Sequence, residues 1–263
     1  MHGVDAAIWA AAGMFAVMAF AWVVQFILGN AGWVDACWTF GTGVCGAAAA
    51  LAGGGEWRPG LVAAGAVLWA LRLGLHIAGR TAHGPEDARY AAFRREWGAA
   101  FQRRMFRFLM IQAAAALPLI GAIALAAGNP APAPRPADAL AVLVLLAALV
   151  GEAVADGQME RFRRDPTARG RVCDRGLWAL SRHPNYFFEW LGWIAYPIFA
   201  IDASWPWGWL TLAAPAMMYW LLVYVSGIPP LEAAMLRSRG SAYRAYQART
   251  SAFFPRPQRR AAR

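Results

Sequence analysis

The residues best suited to chemistry lie in LSRHPNYFFEWLGW (180–193), where a polar stretch turns into an apolar one. Arg182, His183, Asn185 and Glu189 sit at that turn. Asn185, Glu189 and Trp193 are four residues apart, so on a helix they share one face. Arg182 lies one turn earlier on the same side. Glu152 and Asp156 have the same spacing, and Met159 and Arg163 continue their face. Between the two faces runs RFRRDPTARGRVCDRGLW (161–178), rich in Arg and Gly. Guanidinium forks bind phosphates bidentately, and an amide beside a carboxylate can recognise an amide or a ribose. Such a set could hold a dinucleotide, with its phosphates in the loop and its ring among the helices. The same residues could instead form a network that anchors the loop, with the arginines on anionic lipid headgroups. No GxGxxG follows a strand, so a Rossmann site is not supported.

Long apolar runs must position these residues. The chain has 263 residues and is 59% hydrophobic, against about 45–50% in a soluble domain. The run from Ala6 to Leu28 carries only Gln25 as a strongly polar side chain. As a helix it covers roughly 34 Å, enough for a hydrocarbon core of about 30 Å. It has no basic leading region and is too long for a signal peptide, so a retained membrane helix is expected. Further spans are expected over 34–53, 59–79, 105–127, 138–156, 186–202 and 208–228. The expectation is one all-α membrane domain of seven transmembrane helices over residues 1–263, because lipid cannot satisfy open backbone groups.

The net charge is +10, and every one of the 25 cations is Arg. Seven lie from Arg80 to Arg107, seven from Arg161 to Arg182 and eight after Pro229. Seven spans put all three groups on one side, which the positive-inside rule makes cytoplasmic. The N-terminus is then outside and the C-terminus cytoplasmic. The charge reads as topology, and nucleic acid is not an expected partner. Cys37, Cys45 and Cys173 form no CxxC, and the four histidines lack metal-site spacing, so no metal is expected. NPAPAPRPAD (129–138) reads as a stiff external loop. The cytoplasmic face, with loops near 80–104 and 157–185 and the tail 229–263, is where a polar ligand would enter.

Asp35, Arg72, Glu152, Asp156 and Glu189 are ionisable residues within spans, which are costly in lipid and face interiors or cavities. Asp35 and Arg72 could pair to hold helices, or line a substrate cavity. GRTAHGPEDARYAAFRREWG (79–98) offers Asp87, Arg89 and Tyr90. In the tail, Glu232 to Tyr246 reads as an amphipathic helix with Leu231, Met235 and Leu236 toward the protein. Both elements also suit basic helices on a membrane surface.

The stretch SRHPNYFFEWLGW, the preceding GRVCDRGLWAL and a tail with E-x10-Y-x2-Y ending in FFPRP resemble the membrane steroid 5α-reductase family, its bacterial branch most closely. The likeness is strong over about 140–257 and weaker over 30–110. It implies a multi-pass protein of the bacterial inner membrane that takes NADPH from the cytoplasm. The implied reaction reduces the Δ4 double bond of a 3-oxo-steroid, or a related apolar enone entering from lipid. The family's cofactor pattern falls on Asp156, Arg163, Arg171, Asn185, Glu189 and Trp193, with Arg182 and His183 beside them. Arg89 and Tyr90 match an Arg/Tyr pair from the loop between the third and fourth helices. Glu232 stands where animal members carry a histidine. On the substrate side, a Glu of an early helix and a Tyr of the next fall on Asp35 and Trp69. Trp69 cannot act as a phenol acid, so Asp35, held protonated by burial, and Arg72 are the expected catalytic groups at the ketone.

The RHPxY segment and acidic tail also occur in membrane methyltransferases for isoprenylcysteine or phospholipid, which use S-adenosylmethionine. Glu189 and Trp193 in phase with Asn185, and the absence of paired glutamates after PPLE, favour the reductase. An arginine-rich loop suits the extra phosphate of NADPH better than a sulfonium. A non-enzymatic lipid-binding membrane protein is the third reading.

Overall fold

The computed structural model describes residues 3–168 and 170–258. It is 81% helix, and the chain is an all-α membrane protein. The helices are α1 (Gly3–Leu28), α2 (Trp33–Ala52), α3 (Arg58–His83), α4 (Ala88–Trp97), α5 (Phe101–Ala127) and α6 (Pro136–Arg164). There follow α7 (Leu177–Leu180), α8 (Pro184–Ala200), α9 (Ala213–Trp220) and α10 (Ile228–Arg249). Among the described residues, six helical runs are long and apolar enough to cross a membrane. α8 has 17 residues and is not one of the six; its length is roughly 26 Å. The expected span 208–228 is irregular, with a 3-10 segment at Pro206–Leu212 and a π segment at Leu221–Val225 flanking α9. Pro206 and Pro215 each remove a backbone donor there.

The described residues gather into two compact units. The first runs to Arg135 and adds Tyr196–Ala214; the second comprises Pro136–Ala195 and the residues from Pro215 on.

In the first unit α2 is the central helix. Hydrocarbon gives helices little hydrophobic reason to associate, so close approach of small residues matters. Gly41 meets Val17 of α1, Gly43 meets Ala70 of α3 and Gly46 meets Ile123 of α5. A Cβ on Gly43 would lie 2.2 Å from that of Ala70. Gly43→Leu is therefore expected to overpack the α2–α3 seam and cost about 1–3 kcal/mol. Gly60→Ala, where a Cβ meets nothing, should be neutral or slightly stabilising. Thermal unfolding of the two variants in one detergent checks the pair.

Gln25, the polar residue of the first run, is buried and donates to Gln102 Oε1 at 2.7 Å. Two of the three scattered arginines serve as caps. Arg58 donates to the carbonyls of Asn129 and Ala131 at 2.9 and 2.8 Å, and Arg135 to those of Phe199 and Ile201. The Asn129 amide also bonds the Phe199 and Ala200 carbonyls. The Pro-rich loop is thus tied to the end of α8, whose last carbonyls lack helical partners.

In the second unit α6 and α8 run antiparallel. Gly192 approaches Ala148, Gly151 lies under the Phe188 ring, and Asn185 reaches Asp156. α6 continues two turns past the expected end of its span at 156, through GQMERFRR. Glu160–Arg164 is an i,i+4 ion pair, and Asp165 before Pro166 ends the helix. The tail helix is not one straight rod. Gly240, at φ +52°, breaks α10, and Gln247 returns to donate to Glu232 at 2.7 Å. Leu231, expected to face the protein, is exposed. The break redirects the second half of the helix, so one apolar face does not run through both halves.

Candidate functional site

The polar groups of the second unit collect where the end of α6, the turn before α8 and the tail meet. The Trp178 indole donates to the Ala155 carbonyl at 2.9 Å, and Gln158 accepts from the Leu177 amide at 2.9 Å. This fixes α7 against α6 and sets the entry to α8. Asn185 donates to Asp156 at 3.3 Å. One turn further in, the Trp193 indole donates to Glu189 at 2.9 Å, and both residues are buried. Asn185, Glu189 and Trp193 thus lie along one face of α8, with Asn185 bonded to Asp156 of α6 and Trp193 to Glu189. Glu152, on the Asp156 face, is buried as well.

Arg163 and Arg171 are exposed, and among the described residues neither makes an ion pair. The Arg171 carbonyl accepts from Arg239 at 3.2 Å, and Arg249 pairs with Asp174, so the loop is tied to the tail. Arg163 lies two turns beyond Asp156 on α6.

Arg182, expected to hold phosphate, is instead a clamp. Its Nε donates to Glu232 at 2.6 Å, and its Nη1 to the Gln247 and Thr250 carbonyls at 3.2 and 2.6 Å. Those acceptors come from the tail, which no spacing within 180–193 could reveal. Glu232, expected at the cofactor, is shared by Arg182, His183 Nε2 at 3.0 Å and Gln247. Ser181 joins the same latch. Its hydroxyl donates to the Phe253 carbonyl at 2.8 Å, and the Ser251 carbonyl accepts from the Arg182 amide. Gln247, Ser181 and Thr250 were not singled out from sequence. Gln247 and Thr250 are brought in by the break at Gly240.

His183 is 2% exposed and stacks on Tyr186 at 5.6 Å. Its Nδ1 is buried and has no hydrogen-bond partner, so a neutral ring keeps an unused acceptor. Burial lowers its pKa, and the contacts with Glu232 offset this only in part. With the folded pKa below the unfolded value, an unfolded chain takes up a proton that the folded chain refuses. The stability of the latch is thus fully present above about pH 6.5 and falls on acidification toward the folded pKa, by up to about 1.4 kcal/mol per pH unit. Hydrogen exchange of residues 228–258 between pH 7.5 and 5.5 should show that loss, and His183→Gln should remove its pH dependence.

The first unit carries a second polar cluster. Asp35, in the first turn of α2, accepts from Arg89 Nη2 and from the Tyr90 hydroxyl, each at 2.7 Å. Asp87 caps α4 by accepting from the Arg89 amide at 2.9 Å, and binds the Arg89 Nε at 3.0 Å. Burial alone would raise the Asp87 carboxyl, but Arg89, with help from Arg80, outweighs it and holds the pKa below the usual value. Glu86 accepts from the Ala31 amide just before α2 and pairs with Arg94 at 2.8 Å.

This corrects the expected substrate-side grouping. Asp35 is ion-paired with Arg89 at 2.7 Å. It does not join Arg72 or Trp69. Gly43 faces Ala70, Gly74 faces Phe40 and Gly32 faces Thr81. On that antiparallel register Asp35 lies level with Ala78. Arg72 and Trp69 are then about 9 and 14 Å further along α3. Arg89 and Tyr90, expected at the cofactor, are the partners of Asp35 instead. Chemically the cluster is two oriented donors on one carboxylate.

No group of three or more His, Cys, Asp or Glu suited to a metal ion occurs among the described residues. A search of the curated proteins and a search of the solved structures each return no match. One family profile matches residues 21–250. The chain belongs to that family, described as protein of unknown function DUF1295, a family of membrane proteins related to steroid 5α-reductase.

Proposed function

We propose that the protein is a membrane reductase that uses NADPH to saturate the conjugated double bond of an apolar enone of the 3-oxo-Δ4-steroid class. The observation that carries this reading is the polar cluster of the second unit. Arg163, in the last turn of α6, and Arg171, in the loop after it, are exposed cations that make no ion pair among the described residues; the Asp156–Asn185 pair joins α6 to α8, and the Glu189–Trp193 pair lies on α8. The residues fit such a ligand. The free guanidinium groups suit its phosphates, and the buried, unused Nδ1 of His183 suits a donor from it.

We assign Arg163 and Arg171 to the phosphates, and Asn185, Glu189 and His183 to the nicotinamide end. Asp156 positions Asn185, and Trp193 positions Glu189. Arg182 and Glu232 hold the tail that closes this side. When bound, NADPH supplies hydride to the β-carbon of the enone, and the α-carbon takes a proton. Negative charge grows on the carbonyl oxygen, so donors at that oxygen lower the barrier. In the first unit, Asp35 accepts hydrogen bonds from Arg89 and Tyr90.

We also propose seven crossings, with the N-terminus outside and the C-terminus in the cytoplasm of a bacterial cell. α8 lies antiparallel along α6, and only with α8 as a span do all three arginine groups fall on one side. The cofactor then arrives from the cytoplasm and the substrate from lipid.

Glu189→Gln tests the assignment. Loss of a charge-assisted contact is worth about 1.5–3 kcal/mol, so the Kd for NADPH should rise roughly tenfold to a hundredfold. Unchanged affinity in that variant removes Glu189 from the site. Binding of S-adenosylmethionine without NADPH, titrated in parallel, replaces the reductase with a methyltransferase.

A further inference from the structure

The start of α5 carries a feature that the proposed reaction does not use. A groove of 370 Å³ runs along it, lined by Trp97, Arg104, Arg107, Phe108 and Ile111. Arg104, Arg107, Phe108 and Ile111 are three or four residues apart, so they form one stripe on the helix. The stripe is amphiphilic along its length. Arg104 and Arg107 stand toward the helix start and are exposed, while Ile111, a turn further in, is 67% exposed and apolar.

One wall is rigid. The Trp97 ring stacks on Phe93 at 4.6 Å with planes 7° apart, and Phe108 meets Phe93 edge-on at 5.5 Å. Among the described residues neither Arg104 nor Arg107 has an acidic partner, whereas Arg89 and Arg94 of the neighbouring helix are both paired. α5 has 27 residues; its length is about 40 Å, some 10 Å more than a hydrocarbon core. The excess accommodates the first two turns in the headgroup layer. That is where unpaired guanidinium groups meet lipid phosphate and where tryptophan concentrates.

We infer that this groove binds one anionic phospholipid of the surrounding bilayer. Its phosphate rests on Arg104 and Arg107, and its acyl chain runs along Phe108 and Ile111 with Trp97 at its side. Charge complementarity at one end and exposed apolar surface at the other fix the occupant as an amphiphile with a negative head. A free anion would leave Ile111 uncovered, and a neutral lipid would leave the two cations without a counter-charge.

Native mass spectrometry of the delipidated full chain tests this, with phosphatidylglycerol and phosphatidylcholine of identical chains added in detergent. Wild-type protein should retain phosphatidylglycerol preferentially as a single bound molecule. The variant with Arg104→Gln and Arg107→Gln should lose that preference by about fivefold per arginine, or roughly 25-fold in all. A control with Arg95→Gln and Arg237→Gln, which removes the same charge elsewhere, should keep it. Equal retention of both lipids by the wild type, or the same preference in the groove variant, overturns the inference. So does displacement of the lipid by millimolar inorganic phosphate, which would mark a plain anion site. A protein dimer that dissolves only in the groove variant would assign the face to a second copy of the chain and would overturn it too. No NADPH is present, so the outcome is independent of the proposed reaction.

Discussion

Glu232→Ala is expected to release the C-terminal segment and cost about 3–5 kcal/mol, the range for removing one partner of a buried ion pair. The carboxylate is the common acceptor for Arg182, His183 and Gln247. The side chains of Arg182 and His183 are only 11% and 2% exposed. Without Glu232, Arg182 retains two carbonyls but no counter-charge, and His183 has no partner on either ring nitrogen. Trypsin should then cut at Arg237, Arg239, Arg244 or Arg249 under conditions where the wild type resists. Hydrogen exchange should accelerate across residues 228–258. Glu232→Gln keeps the shape and an acceptor but loses the charge, so it should fall between the two. A tail as protected in the alanine variant as in the wild type would show that the aromatic contacts of Phe253 and Phe254 with Phe187, Trp190 and Tyr219 hold it unaided.

The second large effect concerns affinity alone. Arg163→Gln with Arg171→Gln removes two exposed guanidinium groups that make no ion pair among the described residues. Stability should stay within about 0.5 kcal/mol. If both groups contact phosphate, each charge-assisted bond contributes about 1.5–3 kcal/mol. The Kd for NADPH should then rise by roughly a hundredfold or more, and the salt dependence of binding should flatten. Isothermal titration of the two proteins at two ionic strengths measures both quantities. An unchanged Kd would remove the loop from the cofactor.

The spans were legible where length and composition suffice. The ends of α2 and α5 fall within a few residues of the expected spans, because an apolar run has one stable state in lipid. The two-turn extension of α6 was hidden because hydropathy ends before helix propensity does. The irregular segment from Pro206 was hidden because apolar character says nothing of hydrogen-bond pattern. The shared face of Asn185, Glu189 and Trp193 was legible from period alone. The partners of Arg182 and Asp35 were not. Arg182 closes on residues some fifty to seventy positions away, and Asp35 on an arginine 54 positions away. Charge in a sequence states that a partner is needed, not which one. Gly240 is the instructive case. One residue with a left-handed backbone turns an apparent amphipathic rod into a latch.

The central claim is tested most directly by titrating purified, detergent-solubilised protein with NADPH, with S-adenosylmethionine in parallel, and then adding testosterone or progesterone. The account predicts saturable binding of NADPH, no binding of S-adenosylmethionine, and loss of the reduced-nicotinamide absorbance in step with saturation of the enone. Retention of that absorbance with every apolar enone tried, together with no NADPH binding, would contradict it.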